Sequence, residues 1–204
     1  MIGGNVGALA THETVLDGTI SSYSISEIYH VGESKYQKVH VVNIETFGRS
    51  LLLDEKMQSA TADEWMYHEA LVMPALLTHP NPKKVLIMGG GEGGTARQVL
   101  RIKSVERCVM VDIDSVVVET SKQFLESYHQ NIWTNPRFEL VIDDAKKYLL
   151  ETNEKFDVII GDLADPVEDN PCFLLYTVEF YTMCTTFFFF RSFFSIKLIF
   201  KFFL

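Results

Sequence analysis

The chain has 204 residues, 47% of them hydrophobic, enough for one α/β domain with a small appendage around a substantial core, so disorder is not the leading reading. Its formal net charge of −9 argues against a general nucleic-acid binder and suits a cationic ligand, although acidity also serves plain solubility. Cys108, Cys172 and Cys184 show no CxxC spacing, so neither a disulfide framework nor a zinc knuckle is indicated and a reducing compartment is the simplest inference. The opening MIGGNVGALATHETVLDGTISS lacks the basic flank and apolar core of a signal peptide, which predicts a cytoplasmic protein.

Residues 1–22 are rich in Gly, Thr and Ser without periodicity and read as a flexible lead-in or a poorly ordered first strand. Residues 23–60 read as a small N-terminal β-hairpin domain. Within it, Lys38 to Leu53 is β-rich, with Phe47-Gly48-Arg49-Ser50 as the turn between two runs. Residues 61–186 read as a Rossmann-like domain that lacks its last elements. It opens with a helix over Thr61–Thr78, in which Trp65, Leu71, Val72, Leu76 and Leu77 recur at mostly helical spacing, Thr61 offers a cap, and Pro80 and Pro82 end the run.

Strands at Lys84–Met88, Cys108–Val111, Phe138–Ile142 and Phe156–Ile160 then alternate with helices after Gly94, from Ser115 to Tyr128 and from Ala145. That alternation predicts an α/β fold: a doubly wound, Rossmann-like parallel sheet of the methyltransferase type, preceded by the small β unit. Such sheets bind ligands beyond the carboxyl ends of their strands. The last stretch, 187–204, breaks the pattern. Thr186 to Leu204 holds nine of the chain's fifteen phenylalanines with no clean strand or helix period, and Arg191, Lys197 and Lys201 interrupt it as a membrane span. It is expected to lie outside the native core, as a wrong-frame or non-coding tail in place of the domain's own ending.

Gly89-Gly90-Gly91-Glu92-Gly93-Gly94 follows an apolar strand and opens a helix, where missing side chains let a nucleoside approach the backbone. Alone, such a turn serves many cofactors or only close strand–helix packing. Asp112 ends the next strand about 20 residues on, where a carboxylate accepts hydrogen bonds from ribose hydroxyls. Its competing reading as a helix cap suits Asp114 better. Asp143-Asp144-Ala145 closes the third strand, within reach of an adenine amino group or as another cap. Asp162 and Asp165, in Gly161-Asp162-Leu163-Ala164-Asp165-Pro166, put paired acids at the end of the fourth strand. Elsewhere they would pass for solvated turn residues; here they coincide with the expected crevice.

Five segments in order resemble the spermidine synthase family: SKYQ ending at Gln37, LLLDEKMQ from Leu51 to Gln58, YHE at Tyr67-His68-Glu69, HPNPKKVLIMGGGEGG from His79, and GDLADP from Gly161. The resemblance runs from about residue 31 to about residue 183. Leu163 and Ala164 between the acids look more like thermospermine synthases, since spermidine synthases usually have two small polar residues there.

The resemblance implies transfer of an aminopropyl group from decarboxylated S-adenosylmethionine, as co-substrate, to a polyamine amine, with methylthioadenosine leaving. Spermidine is favoured as acceptor and putrescine is second; no metal or hydride carrier is implied. An aliphatic amine has a pKa near about 10.4, so a base is needed at neutral pH. Asp162 matches the family's proton acceptor and Asp165 the residue that orients the amine. Glu92 falls where the aminopropyl ammonium is held, a position more often Asp. Tyr67 and His68 match polyamine-site residues, and Gln37 and Gln58 match contacts to nucleoside or amine. By the resemblance, Gly89, Gly91, Asp112, Asp144 and Ala145 hold the nucleoside. Read alone, His68 is an ordinary helical histidine, and Gln37 and Gln58 satisfy strand backbone groups. Family members are usually homo-oligomers. The rival classes are a methyltransferase sharing the glycine turn and Asp112, a nicotinamide oxidoreductase, and a catalytically dead copy that binds a full-length relative.

Overall fold

A computed structural model describes residues 9–16, 19–166 and 172–196. Two five-stranded sheets organise it. The first is an antiparallel meander, in order, of β1 (Leu9–Leu16), β2 (Thr19–Glu33), β3 (Lys38–Ile44), β4 (Gly48–Leu53) and β5 (Lys56–Ala60). The second contains β6 (Lys84–Gly89), β7 (Arg107–Asp112), β8 (Phe138–Ile142), β9 (Phe156–Asp162) and β10 (Phe188–Ile196), all parallel in the order β10-β9-β6-β7-β8. Among the described residues, six α-helices accompany them: α1 (Glu64–Thr78), α2 (Gly94–Leu100), α3 (Ser115–Phe124), α4 (Glu126–His129), α5 (Ala145–Glu151) and α6 (Val178–Thr185).

The central strands are apolar on both faces because helices cover both. Successive side chains of β6 take opposite sides. Val85 and Ile87 join Leu71 and Val72 of α1 and Val99 of α2 in one core cluster, while Leu86 and Met88 join Leu149 of α5 and Phe180 of α6 in another. The doubly wound parallel sheet of the sequence reading is therefore the observed fold. The chain runs from β6 outward to β7 and β8, then returns to place β9 on the other flank of β6. That reversal opens a crevice at the carboxyl ends of β6 and β9. Among the described residues, no helix is long and apolar enough to cross a membrane.

The N-terminal sheet docks through β3 and β4. Val39, Val41 and Leu51 pack on Val117, Leu125 and Tyr128. The Arg49 guanidinium donates to the Phe124 carbonyl (2.9 Å), while the Arg49 carbonyl accepts the Tyr128 hydroxyl (2.6 Å). These buried polar partners hold the orientation of the meander against α3 and α4, whereas the apolar contacts supply most of the stabilisation.

Several expectations need correction. Of the two readings of the first 22 residues, a flexible lead-in or a first strand, residues 9–16 and 19–22 take the strand: Leu9 pairs with Ile25 and Thr14 with Ile20 in a hairpin. Their Thr- and Ser-rich sequence carries little burial signal because β2 is exposed along most of its length. Residues 1–8 lie outside the described residues. The β unit is accordingly a five-stranded sheet beginning at Leu9, and the β3–β4 turn falls on 45–47, just before Gly48. Thr61 is no helix cap. It bonds back to the Arg49 carbonyl (3.0 Å), and α1 starts only after Asp63. The helix from Ser115 ends at Phe124, with a separate turn, α4, following it.

The Phe-rich segment shows the largest difference. Its residues 188–196 form edge strand β10, parallel to β9, with a register shift between Phe188 and Phe193. Phe193 packs on the α1 side, edge-on to His79 at 5.8 Å. Phe194 packs on the opposite side, edge-on to Tyr181 at 5.4 Å. The Ser195 hydroxyl donates to the Leu71 carbonyl of α1 (2.6 Å). No simple period was visible because both faces of this strand have something apolar to cover. Residues 197–204 lie outside the described residues. Because both rings are half-buried, Phe193→Ala and Phe194→Ala should each lower the unfolding free energy by about 1–2 kcal/mol, below the ~3–5 kcal/mol of a fully buried Phe. Urea denaturation checks this, and unchanged midpoints would show that β10 does not pack.

Candidate active site

The carboxyl ends of β6 to β9 and the facing edge of the N-terminal sheet enclose one cleft. Of the residues singled out in the sequence, Gln37, Gln58, Tyr67, Gly89, Gly91, Glu92, Asp112, Asp144, Ala145 and Asp162 line it. His68 and Asp165 do not.

The glycine turn is shaped by its neighbours. Gly89 has φ +79°, and a Cβ there would fall 2.2 Å from the Asp162 carbonyl oxygen. The ends of β6 and β9 thus approach as closely as backbone allows, which brings Asp162 beside the glycine turn. A Cβ at Gly91 would fall 2.8 Å from the Asp112 carboxylate. The close-packing reading of the glycines therefore holds, and it also opens the cleft floor.

Asp162 is held at both oxygens. The Tyr67 hydroxyl donates to Oδ1, and the Thr95 hydroxyl, at the first turn of α2, donates to Oδ2 at 2.6 Å. Burial first, then the Asp162 charge, pushes the Tyr67 pKa well above the ordinary tyrosine value, so the phenol keeps its proton and stays the donor. Asp112 is buried at the end of β7, with Oδ1 accepting from the Asp114 amide at 2.8 Å. Burial raises its pKa to about 6. The amides of Asp114 and Gly91 pull the other way, while the nearby Asp114 and Asp162 charges add to the rise.

Asp114 is the N-cap of α3, accepting from Val116 at 3.0 Å. The same carboxylate takes the Gln37 side-chain amide (3.0 Å) and the Ser34 hydroxyl (2.6 Å). Gln37 is thereby pinned at the cleft wall by a helix cap. Asp144 lines the cleft and also caps α5 through the Lys147 amide (2.9 Å), so both of its readings hold. Gln58 lines the cleft while its amide donates to the Lys56 carbonyl at 3.2 Å, the backbone role weighed for it from sequence.

Glu92 is nearly buried. Its Oε2 accepts the Ser59 hydroxyl (2.8 Å) and its Oε1 meets His68 Nε2 (2.7 Å). His68 is fully buried, with Nδ1 on Glu64 at 2.7 Å. His68 thus lies one layer behind the cleft lining, its ring against Gly94 and its Nε2 on the cleft residue Glu92. Asp165, three residues beyond Asp162, is half-exposed and outside the cleft lining, and residues 167–171 after it lie outside the described residues.

Sequence reasoning missed Thr95, Ser59, Glu64 and Arg97. Thr95 follows directly on the glycine turn, so the first turn of α2 was a visible place for a hydroxyl. Ser59 alternates with Gln58 on β5, but neither spacing nor residue type says which of the two faces Glu92. Five of the lining residues are carboxylic acids: Glu92, Asp112, Asp114, Asp144 and Asp162. Among the described residues, no Lys, Arg or His lines it. A cleft of that composition attracts cations and repels carboxylates or phosphates. Among the described residues, no group of three or more His, Cys, Asp or Glu is arranged to hold a metal ion.

Residues 64–188 match the family described as the spermine/spermidine synthase domain, and residues 10–61 match the spermidine synthase tetramerisation domain. Thermospermine synthase ACAULIS5 of Arabidopsis thaliana is 49% identical over 169 residues, covering 83% of this chain and 50% of that protein. A polyamine aminopropyltransferase of Sulfurisphaera tokodaii is 46% identical over 159 residues, 78% of this chain and 53% of that one. The chain thus spans about half the length of the curated relatives it matches. A crystal structure of spermidine synthase in complex with the transition-state analogue AdoDATO superposes with a TM-score of 0.84 at 33% identity, covering 88% of this chain and 61% of that one. Spermidine synthase from Thermotoga maritima gives 0.81 at 33% identity, covering 88% and 60%. With two adjoining family matches and relatives near half identity, the chain belongs to the spermine/spermidine synthase family.

Proposed function

We propose that this chain transfers the aminopropyl group of decarboxylated S-adenosylmethionine to a polyamine amine, releasing methylthioadenosine. The acidic cleft, which no basic side chain lines among the described residues, is the observation that carries the reading. S-adenosylmethionine would bring its own carboxylate against Glu92 and Asp162. The decarboxylated donor brings only a sulfonium and an ammonium, and the acceptor brings further cations.

In the proposed reaction, Asp112 accepts the ribose hydroxyls, Asp144 and Ala145 meet the adenine, and Glu92 holds the aminopropyl ammonium. Asp162, held by Tyr67 and Thr95, faces the acceptor. The amine nitrogen forms a bond to the propyl carbon, the C–S bond breaks with its electron pair going to sulfur, and the amine proton passes to Asp162. Attack by a positioned neutral amine is the slow part without a protein, so orientation and proton acceptance account for the rate. Spermidine is the favoured acceptor, supported by Leu163 and Ala164 in the cleft wall and by the likeness to the Arabidopsis thermospermine synthase. The N-terminal sheet is the proposed assembly surface, supported by its match to a tetramerisation domain.

Incubation with decarboxylated S-adenosylmethionine and either spermidine or putrescine should release methylthioadenosine together with a longer polyamine, identified by mass and chromatography. Asp162→Asn should lower kcat by about 10²–10⁴-fold, the range of a general base. Methyl transfer from S-adenosylmethionine instead would overturn the reading. The pH dependence has a defined sign. With Asp112 titrating at about 6 in the free protein, the carboxylate is lost as pH falls through that value, so kcat/KM should fall toward acid from pH 7 to 5. Asp112→Asn should be uniformly weaker and should lose that step.

A further inference from the structure

Behind the cleft, charges alternate in a single buried row. Arg97 of α2 makes a two-pronged pair with Glu64 of α1, each N–O distance 2.9 Å. Glu64 meets His68 Nδ1 at 2.7 Å, and His68 Nε2 meets Glu92 at 2.7 Å. Glu92 is the member that lines the cleft. The ring of His68 lies where a side chain at position 94 would be: a Cβ on Gly94 would fall 2.3 Å from its Cε1. Tyr67 closes it in edge-on at 5.0 Å.

We propose that His68 is a positioning residue, an imidazolium clamped between Glu64 and Glu92 that fixes the Glu92 carboxylate as the receptor for the donor's primary ammonium. This rests on the aminopropyl-transfer reading. With both ring nitrogens occupied and no exposed surface, His68 acts on substrate only through Glu92. A carboxylate has about four lone-pair positions. His68 and Ser59 take one on each oxygen of Glu92, which locks its rotamer and leaves a position on each oxygen for an ammonium. The counter-charge also offsets the cost of burying a carboxylate at 8% exposure. Burial, the largest single influence on His68, works against its charged form. The hydrogen bonds to Glu64 and Glu92 outweigh it, with the Glu92 and Asp162 charges adding, and the pKa rises to about 10. Arg97 serves the row by holding Glu64, whose own pKa is lowered: burial raises it, but the bonds to His68 and Arg97 prevail.

The test compares two ligands that differ in the aminopropyl group. Decarboxylated S-adenosylmethionine carries the ammonium; methylthioadenosine lacks it. By calorimetry on the full chain, His68→Asn should weaken donor binding by about ten- to a hundredfold, the range for hydrogen bonds between charged groups, while methylthioadenosine binding stays within about twofold. His68→Gln, whose amide reaches toward the Nε2 position, should recover part of the loss. If the buried Asn variant does not fold, Glu64→Gln reads the same ratio, with an expected drop of at least about threefold. A donor-to-methylthioadenosine ratio unchanged in these variants, or both affinities falling together, overturns the positioning role. Wild-type protein that binds methylthioadenosine but shows no gain for the ammonium-bearing donor overturns the aminopropyl-transfer reading itself, and the positioning role with it.

Discussion

The cost of gathering negative charge in one partly dry cleft is the constraint on which the rest of this structure depends. Each carboxylate there has its own compensation. Asp162 has two hydroxyl donors, Asp112 has backbone amides, Asp114 and Asp144 sit on helix N-termini, and Glu92 has a serine and an imidazole. Apart from the His68 imidazolium behind Glu92, neutral donors satisfy these oxygens without cancelling the field that a polycationic ligand needs. Full cations are kept one layer back, where Arg97 reaches the cleft only through Glu64 and His68.

The sheet makes this arrangement geometrically possible. Parallel strands bring their carboxyl ends to a single edge, and the return of the chain from β8 to β9 leaves the ends of β6 and β9 adjacent. Two helices then begin close to the acids they cap. The antiparallel meander is tied in by the Arg49 and Tyr128 exchange and by the Ser34 and Gln37 bonds to Asp114. It brings Gln37, Gln58 and Ser59 to a site whose chemistry belongs to the other sheet.

How much was legible follows from where the information resides. Short apolar runs ended by glycine or aspartate are local signals, so β6, β7 and β9 and the acids at their ends could be read directly. Strands β1 and β2 could not, because they are rich in Thr and Ser, are exposed along most of their length, and are held by pairing with neighbouring strands rather than by a buried face. β10 hid for the opposite reason, being so uniformly apolar that no face stood out. The position of His68 needed the phase of α1 and the gap at Gly94, both properties of a helix pair. Asp165 lies three residues beyond the end of β9, half-exposed, and like Asp162 it acts on the Tyr176 phenol.

Pro74 interrupts α1 one turn before its end and removes an amide from the helical ladder. In that same stretch the helix is gripped from outside, as Ser195 of β10 bonds to the Leu71 carbonyl. The amino-terminal half of α1 carries Glu64, Tyr67 and His68. One helix therefore joins the edge strand, near Pro74 and Leu71, to the cleft, near Tyr67. The same helix that donates the Tyr67 hydroxyl to Asp162 at one end thus lends a carbonyl to the margin of the sheet at the other, so the margin and the centre share a single piece of backbone.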